Sequence, residues 1–310
     1  MRRWALAGIV VNVVIMLSGA TVRLTESGLG CPTWPRCTEG SLVPVPSSSV
    51  ATLHMVIEFG NRMLSSVVLA VGLACLLAAV RMRPRRRDLI WLAAALPVGG
   101  LAQALIGGFT VLTGLHPAVV GLHFLVSVAI VAAAVGLHHR STEGNEPARP
   151  LVRREITWLA RGLIGAVAVV LTLGTVVTGT GPHAGDPDAP RYDFSFEQVA
   201  QLHADAVWIT LGLTFALVVA VHLTDAPRTV RRRAGQLIAL VLAQGTIGYV
   251  QLFLSLPEVL VWLHILGSTL VWIAAWRLLL SLRDRPLTVS ERSAQPQRIH
   301  SDTSPASTAR

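Results

Sequence analysis

Charge is scarce in this 310-residue chain: Asp, Glu, Lys and Arg together make up 14% of it, and lysine is absent altogether. With 52% hydrophobic residues and a mean hydropathy of +0.59, so little charge excludes a soluble domain of this length. Cysteine is scarce too, at three residues. No third or fourth ligand accompanies the histidines of the apolar runs, which removes a structural zinc site from the candidates. Without lysine, arginine alone carries the fixed positive charge. The net charge of +9 invites a nucleic-acid reading, but the arginines flank long apolar runs, so no nucleic-acid partner is expected.

The apolar runs are long enough to cross a bilayer, which takes about 20 residues. They fall at 4–22, 55–80, 89–112, 117–138, 157–179, 197–223, 235–254 and 258–280. The expected fold is an all-α integral membrane protein of eight transmembrane helices. The first run is too long, and too closely followed by functional-looking sequence, to be a cleaved signal. With the N-terminus in the cytoplasm, 22 of the 26 arginines lie inside, Arg23, Arg36 and Arg191 lie outside, and Arg62 lies within a helix. The positive-inside rule therefore places both termini in the cytoplasm. The tail, 284–310, is rich in Ser, Pro, Gln and Arg and reads as disordered.

An internal repeat organises the rest. Gln103-Ala-Leu-Ile-Gly107 leads to Gly121-Leu-His123, and Gln244-Gly-Thr-Ile-Gly248 leads to Trp262-Leu-His264, 141 positions on. In both copies glutamine precedes histidine by 20 residues with a short Pro-containing turn between. Gly19-Ala-Thr-Val-Arg-Leu-Thr25 and Gly174-Thr-Val-Val-Thr-Gly-Thr180 match at an offset of 155, so the first external loop is about 14 residues longer than its counterpart. Each unit has four spans, so both enter the membrane in the same sense. This predicts two parallel four-helix-bundle repeats with pseudo-twofold symmetry: residues 1–140, a cytoplasmic linker at 141–156, and 157–283.

A polar, metal-capable side chain inside an apolar span is costly, so its repetition in register calls for a shared partner. His203 and His264 lie at matching depth, about two turns below the external surface, and two such imidazoles can ligate one haem iron from opposite faces. In the first half, His123 corresponds to His264. The counterpart of His203 is either His54, at an offset of 149, or Asn61, at 142. A gap-free alignment favours Asn61, a weak ligand for iron. One histidine beside a non-ligating position suits a haem that arrives, reacts and leaves. Glu58, one turn before Asn61, adds an intramembrane acid, and Arg62 is a candidate partner for that carboxylate or for a haem propionate. The plainer alternative is an i,i+4 ion pair without chemistry. Cys31 and Cys37, in the first external loop, are either a staple for that loop or a redox-active pair. Cys75 reads as a small core residue. His116, His138, His139, His183, His222 and His300 fall in loops or at helix ends.

Taken together, Gly19–Gly28 with Arg23 and Thr25, the Gly30-Cys31-Pro-Thr-Trp-Pro-Arg-Cys37 loop, Glu58-Phe-Gly-Asn61-Arg62 and the histidines at 123, 203 and 264 resemble the haem A synthase family over roughly residues 5–280. The resemblance implies haem b as cofactor in the C-terminal half, ligated by His203 and His264. It implies haem O as substrate in the N-terminal half, with His123 as a ligand of its iron and Glu58 as the catalytic acid residue. The implied reaction oxidises the C8 methyl of haem O to the formyl of haem A with oxygen derived from water. Cys31 and Cys37 are then expected to form a disulfide. Implied partners are haem O synthase (protohaem farnesyltransferase) upstream and a membrane electron acceptor, in a bacterial cell membrane, with a homo-oligomer left open. The chain departs from the family pattern at Asn61, where the family has histidine, and its second external loop lacks a cysteine pair. Two other classes are weighed against this: a di-haem b-type electron carrier, and a non-haem transporter built from parallel repeats.

Overall fold

A computed structural model of the chain describes residues 1–45 and 51–286. Eight long helices run through it: α1 (Arg2–Leu24), α2 (Thr52–Arg81), α3 (Arg87–Leu112), α4 (Pro117–Arg140), α5 (Arg154–Thr180), α6 (Phe196–Leu223), α7 (Arg228–Phe253) and α8 (Glu258–Leu280). All eight are long and apolar enough to cross a membrane. The only strands among the described residues are β1 (Arg149–Pro150) and β2 (Arg283–Asp284), which pair antiparallel.

The helix ends follow from local chemistry. The Ser195 hydroxyl accepts from the Gln198 N–H at 3.4 Å to start α6, and His116 caps α4 with Pro117 in its first turn. The turns after α3 and α7 are alike. Gly114 and Leu115 have φ of 59° and 61°, and Ser255 and Leu256 have 62° each. In both turns a 2.7 Å bond closes the helix, Leu115 N–H to Thr110 O and Leu256 N–H to Gln251 O. This is the short turn expected in both copies. Helix α7, by contrast, begins at Arg228 rather than at 235. Hydropathy detects only the apolar part of a helix, and Arg231, Arg232 and Arg233 extend α7 by nearly two turns beyond it.

Within each half the helices form a closed ring. Helix α1 packs on α2, α2 on α3, α3 on α4 and α4 on α1; α5 to α8 repeat the same adjacencies. The rings meet through α4 with α8, α4 with α5, and α1 with α8. Two indoles bridge that seam: Trp272 Nε1 donates to the Val128 carbonyl at 2.9 Å, and Trp262 Nε1 to Thr21 Oγ1 at 3.3 Å. With no water in the hydrocarbon, such donors need an internal partner. Buried Thr210 and Thr214 meet the same demand by bonding the carbonyls four residues earlier, at 2.8 and 2.7 Å.

The tightly packed apolar core lies toward the end of the bundle that carries Met1. One cluster joins Val131, Leu163, Leu217, Leu237 and Leu278; another joins Ala5, Cys75, Leu89 and Leu137. Cys75 is fully buried there, as a small core residue should be. The same end is tied by charge. Arg86 donates to the Glu143 and Arg140 carbonyls at 2.8 and 3.0 Å, and Arg140 pairs with Asp88 at 2.6 Å. The Gly144 N–H reaches the Arg285 carbonyl at 2.9 Å, so the chain is built into the bundle past the expected boundary at 283. The stretch 287–310, including His300 and most of the expected tail, lies outside the described residues.

Candidate functional site

Toward the far end, away from Met1, bulky core residues give way to glycine and polar side chains, and a cavity of about 900 Å³ opens. Both halves line it: Asn61, Arg62 and His123 from one, His203, Gln244 and His264 from the other. Glycine makes the room. A Cβ at Gly107 would stand 3.2 Å from the His123 ring, one at Gly248 3.1 Å from the His264 ring, and one at Gly174 3.4 Å from the His203 ring. Each imidazole is therefore seated on a bare stretch of a neighbouring helix, so its orientation is set by backbone.

The repeated glutamines now have a structural role. Gln103 Nε2 donates to the His123 carbonyl at 2.9 Å and also meets the Ser127 hydroxyl. Gln244 Nε2 donates to the His264 carbonyl at 2.7 Å. The spacing of 20 residues is the path up one helix, round the turn and down the next to the same level.

Nδ1 of His123, His203 and His264 is buried without a hydrogen-bond partner, and all three side chains line the cavity. The His203 and His264 rings lie 6.5 Å apart between centroids, with 63° between their planes. A metal bound through one nitrogen of each ring, with bonds of ~2 Å and a further ~1 Å to each ring centre, sets that separation at about 6 Å. The ring separation is one at which His203 and His264 could hold one metal between them. Among the described residues no cluster of three or more His, Cys, Asp or Glu could hold a bare metal ion. The donor set fits a metal that brings its own equatorial ligands, as a haem does.

His123 has no imidazole facing it among the described residues. Asn61 lines the cavity, and its Oδ1 is buried without a hydrogen-bond partner. Gly19, at the position matching Gly174, meets nothing within 4 Å of where a Cβ would stand. His54 does not line the cavity; its carbonyl lies against Gly30, where a Cβ would collide with it.

Glu58 is 7% exposed, and its Oε1 accepts from Arg62 Nε at 2.9 Å. It is not part of the cavity wall; Arg62 is. The rest of the guanidinium is committed to the first far-end loop. Nη2 donates to the Cys31 carbonyl at 2.7 Å, and Nη1 to the Thr33 and Arg36 carbonyls at 3.0 and 3.2 Å. The i,i+4 pair of the plainer expectation is present, and it also clamps the loop. Arg62 would have to give up those bonds to take a propionate. Cys31 and Cys37 are disulfide-bonded and fully buried.

Several residues named in the sequence make contacts at the cavity that nothing in the sequence announced. Trp34 and Pro35, joined by a cis peptide bond, place the disulfide loop in the wall. His183 ties the end of α1 to the loops of the second half: its carbonyl accepts from Arg23 Nε at 2.6 Å, and its Nε2 contacts the Leu256 carbonyl at 2.9 Å. Only a spacing rule could have found these contacts, and the loops have no repeat to supply one.

Fold and site together define a multi-pass helical membrane protein that presents buried imidazoles to one intramembrane cavity. The chain belongs to the COX15-CtaA family of cytochrome oxidase assembly proteins, which it matches over residues 2–275. Similar proteins include the heme A synthase of Geobacillus thermodenitrificans, 28% identical over 299 residues, which cover 91% of this chain and 92% of that one. Those of Bacillus mycoides (strain KBAB4), at 28% over 81% and 83%, and Lysinibacillus sphaericus (strain C3-41), at 27% over 71% of each, are also similar.

Proposed function

We propose that this chain is a haem A synthase of the bacterial cell membrane, with both termini cytoplasmic, converting the C8 methyl of haem O to a formyl group. The observation that carries the reading is the inequality of its two histidine positions. His203 and His264 are spaced for a permanently held haem b, whereas His123 shares the same cavity with Asn61 and the buried Glu58–Arg62 pair. A relay between two permanent haems would have no use for that difference.

His203 and His264 would hold haem b, which would supply one-electron redox chemistry and so pass the four electrons of methyl oxidation, one at a time, to a membrane acceptor. The other roles belong to side chains of this chain. Gly107 and Gln103 fix the His123 ring and its backbone, so the imidazole is held ready for the iron of the haem O substrate. Asn61 leaves the opposite side without a strong ligand, which favours exchange of substrate and product. Glu58 and Asp88 are the only acids in α1–α4, and Asp88 sits in the first turn of α3 at the other end. Glu58 is therefore the carboxylate available to stabilise positive charge as the methyl carbon is oxidised, acting at short range through a low-dielectric wall. Arg62 orients that carboxylate. Oxygen enters from water.

Membranes expressing this chain with a haem O supply should contain haem A, read by pigment extraction and chromatography. Haem O persisting unchanged with the intact chain would overturn the reading.

A further inference from the structure

Adjacent glycines on α3 carry two different rings. Gly107 seats His123, and on Gly108 lies the Trp34 indole, where a Cβ would stand 2.5 Å from the ring. Trp34 thus lines the same cavity as His123, although it comes from the connection between α1 and α2. The second half is built otherwise. The residue matching Gly108 is Tyr249, which lines the cavity from α7 itself, accepts a 3.1 Å bond from Trp208 Nε1 and stacks on Phe253. One half carries its aromatic wall on a helix; the other borrows it from a loop.

Among the described residues, that loop meets α2 where Gly30 packs on the His54 carbonyl and where its own carbonyls bond one guanidinium. The Cys31–Cys37 disulfide closes the loop into a ring. All three carbonyls that bond Arg62 lie within the ring, and Arg62 anchors them to Glu58. Beyond the ring, the Gly28 N–H meets the Gly185 carbonyl at 2.8 Å. Among the described residues, Arg62 is the side chain whose hydrogen bonds fasten the ring that bears Trp34 to α2.

We propose that Trp34 is the retention residue of the substrate site: it closes the wall beside His123 over an amphipathic iron porphyrin, and the disulfide ring carrying it lifts as a unit to admit and release that ligand. This rests on the assignment of the His123 side to the substrate. It explains why the loop is long and cross-linked in the first half alone. A rigid ring moves its indole in one piece, whereas Tyr249, fixed on α7, gives the second half no such opening. Arg62 then couples closure to Glu58, because the guanidinium that seals the ring is the one that orients the carboxylate.

The test uses the full-length purified protein loaded with haemin and follows haem transfer to excess apomyoglobin by absorbance. The expected trace has a fast phase from the His123 side and a slow phase from His203 and His264. Trp34→Ala should speed the fast phase about tenfold, the order expected for loss of a ring contact, and Trp34→Phe should restore most of the wild-type rate. The slow phase should be unchanged in both, which also reports that the bundle is folded. Reduction of the disulfide in the wild type should accelerate the fast phase as Trp34→Ala does. A fast phase of wild-type rate in Trp34→Ala overturns the proposal. His123→Ala separates it from the reading beneath it: that variant should lose the fast phase, and its persistence would remove the substrate site from His123 whatever Trp34 does.

Discussion

The two bundles offer the cavity the same three elements, a glutamine, a glycine and a histidine, yet they surround the histidine differently. In the second bundle His264 stands 6.5 Å from His203 between ring centroids. In the first, His123 shares the cavity with Asn61, whose Oδ1 has no partner. The second bundle holds no acid like Glu58 at the corresponding place, where Gln198-Val-Ala-Gln201 stands, and its aromatic wall grows from its own helix. The loop between α1 and α2 is longer than the one between α5 and α6, and among the described residues only the second bundle sets two imidazoles side by side. The difference teaches that two bundles with the same helix adjacencies can differ at the site they share.

The comparison breaks most sharply at the histidines. His203→Ala or His264→Ala should abolish the low-spin haem spectrum of the purified protein, because one axial ligand is gone and the partner cannot replace it. His123→Ala should leave that spectrum intact and stop haem A production. Equal loss from all three variants would show that the halves are not distinct. Next in size is Glu58→Gln. Removing the charge while keeping the shape should lower haem A output by about 100-fold or more, the scale of losing one electrostatic contact to a transition state. Haem b content should hold, with haem O or a hydroxylated intermediate accumulating in the extract. Normal output would remove Glu58 from the mechanism.

Asn61→His sharpens the comparison from the other side. Asn61 lines the cavity that His123 also lines, and Gly19 meets nothing within 4 Å of where a Cβ would stand, so the variant should acquire a second low-spin haem, raising haem per chain on purification. An unchanged ratio would mean that position 61 does not face His123.

How much of this could be read from the sequence depends on the range of the contact. The spans were legible because a bilayer demands about 20 apolar residues whatever the fold, and the start of α7 was not, because its arginines continue the helix outside that rule. The Gln–His spacing was legible as a repeat, but its meaning was not, since nothing local shows that an amide will reach a backbone carbonyl on the next helix. The Glu58–Arg62 pair follows from helical geometry. The three loop carbonyls on Arg62 and the seat of Trp34 on Gly108 do not, because they join residues 26 to 74 positions apart through a loop without periodicity. Repetition let sequence speak about the site at all; where the repeat fails, in the cysteine loop, sequence named the residues but not their contacts.

The smallest effect tests what the halves still share. Gln103 and Gln244 each hold the carbonyl of the histidine on the following helix, at 2.9 and 2.7 Å. Interhelical hydrogen bonds in membranes contribute about 0.6 kcal/mol on average, so Gln244→Leu should lower thermal stability only slightly. The two sites should still differ in order. Gln103 has Ser127 as a second partner, and Ser127 also bonds the His123 carbonyl at 3.1 Å, so that carbonyl keeps a donor when the amide is removed. Gln244 is its histidine carbonyl's only side-chain donor among the described residues, and its amide oxygen lies against Gly267, where no Cβ could fit. A branched replacement would therefore press on α8 beside His264. Gln244→Leu should broaden or shift the low-spin haem spectrum, and Gln103→Leu should leave it unchanged, both read on protein whose melting temperature is measured alongside. If Gln103→Leu perturbs that spectrum equally, the two halves are mechanically coupled through the seam of α4 and α8, and the haem b side is not the independent unit that its own pair of histidines implies.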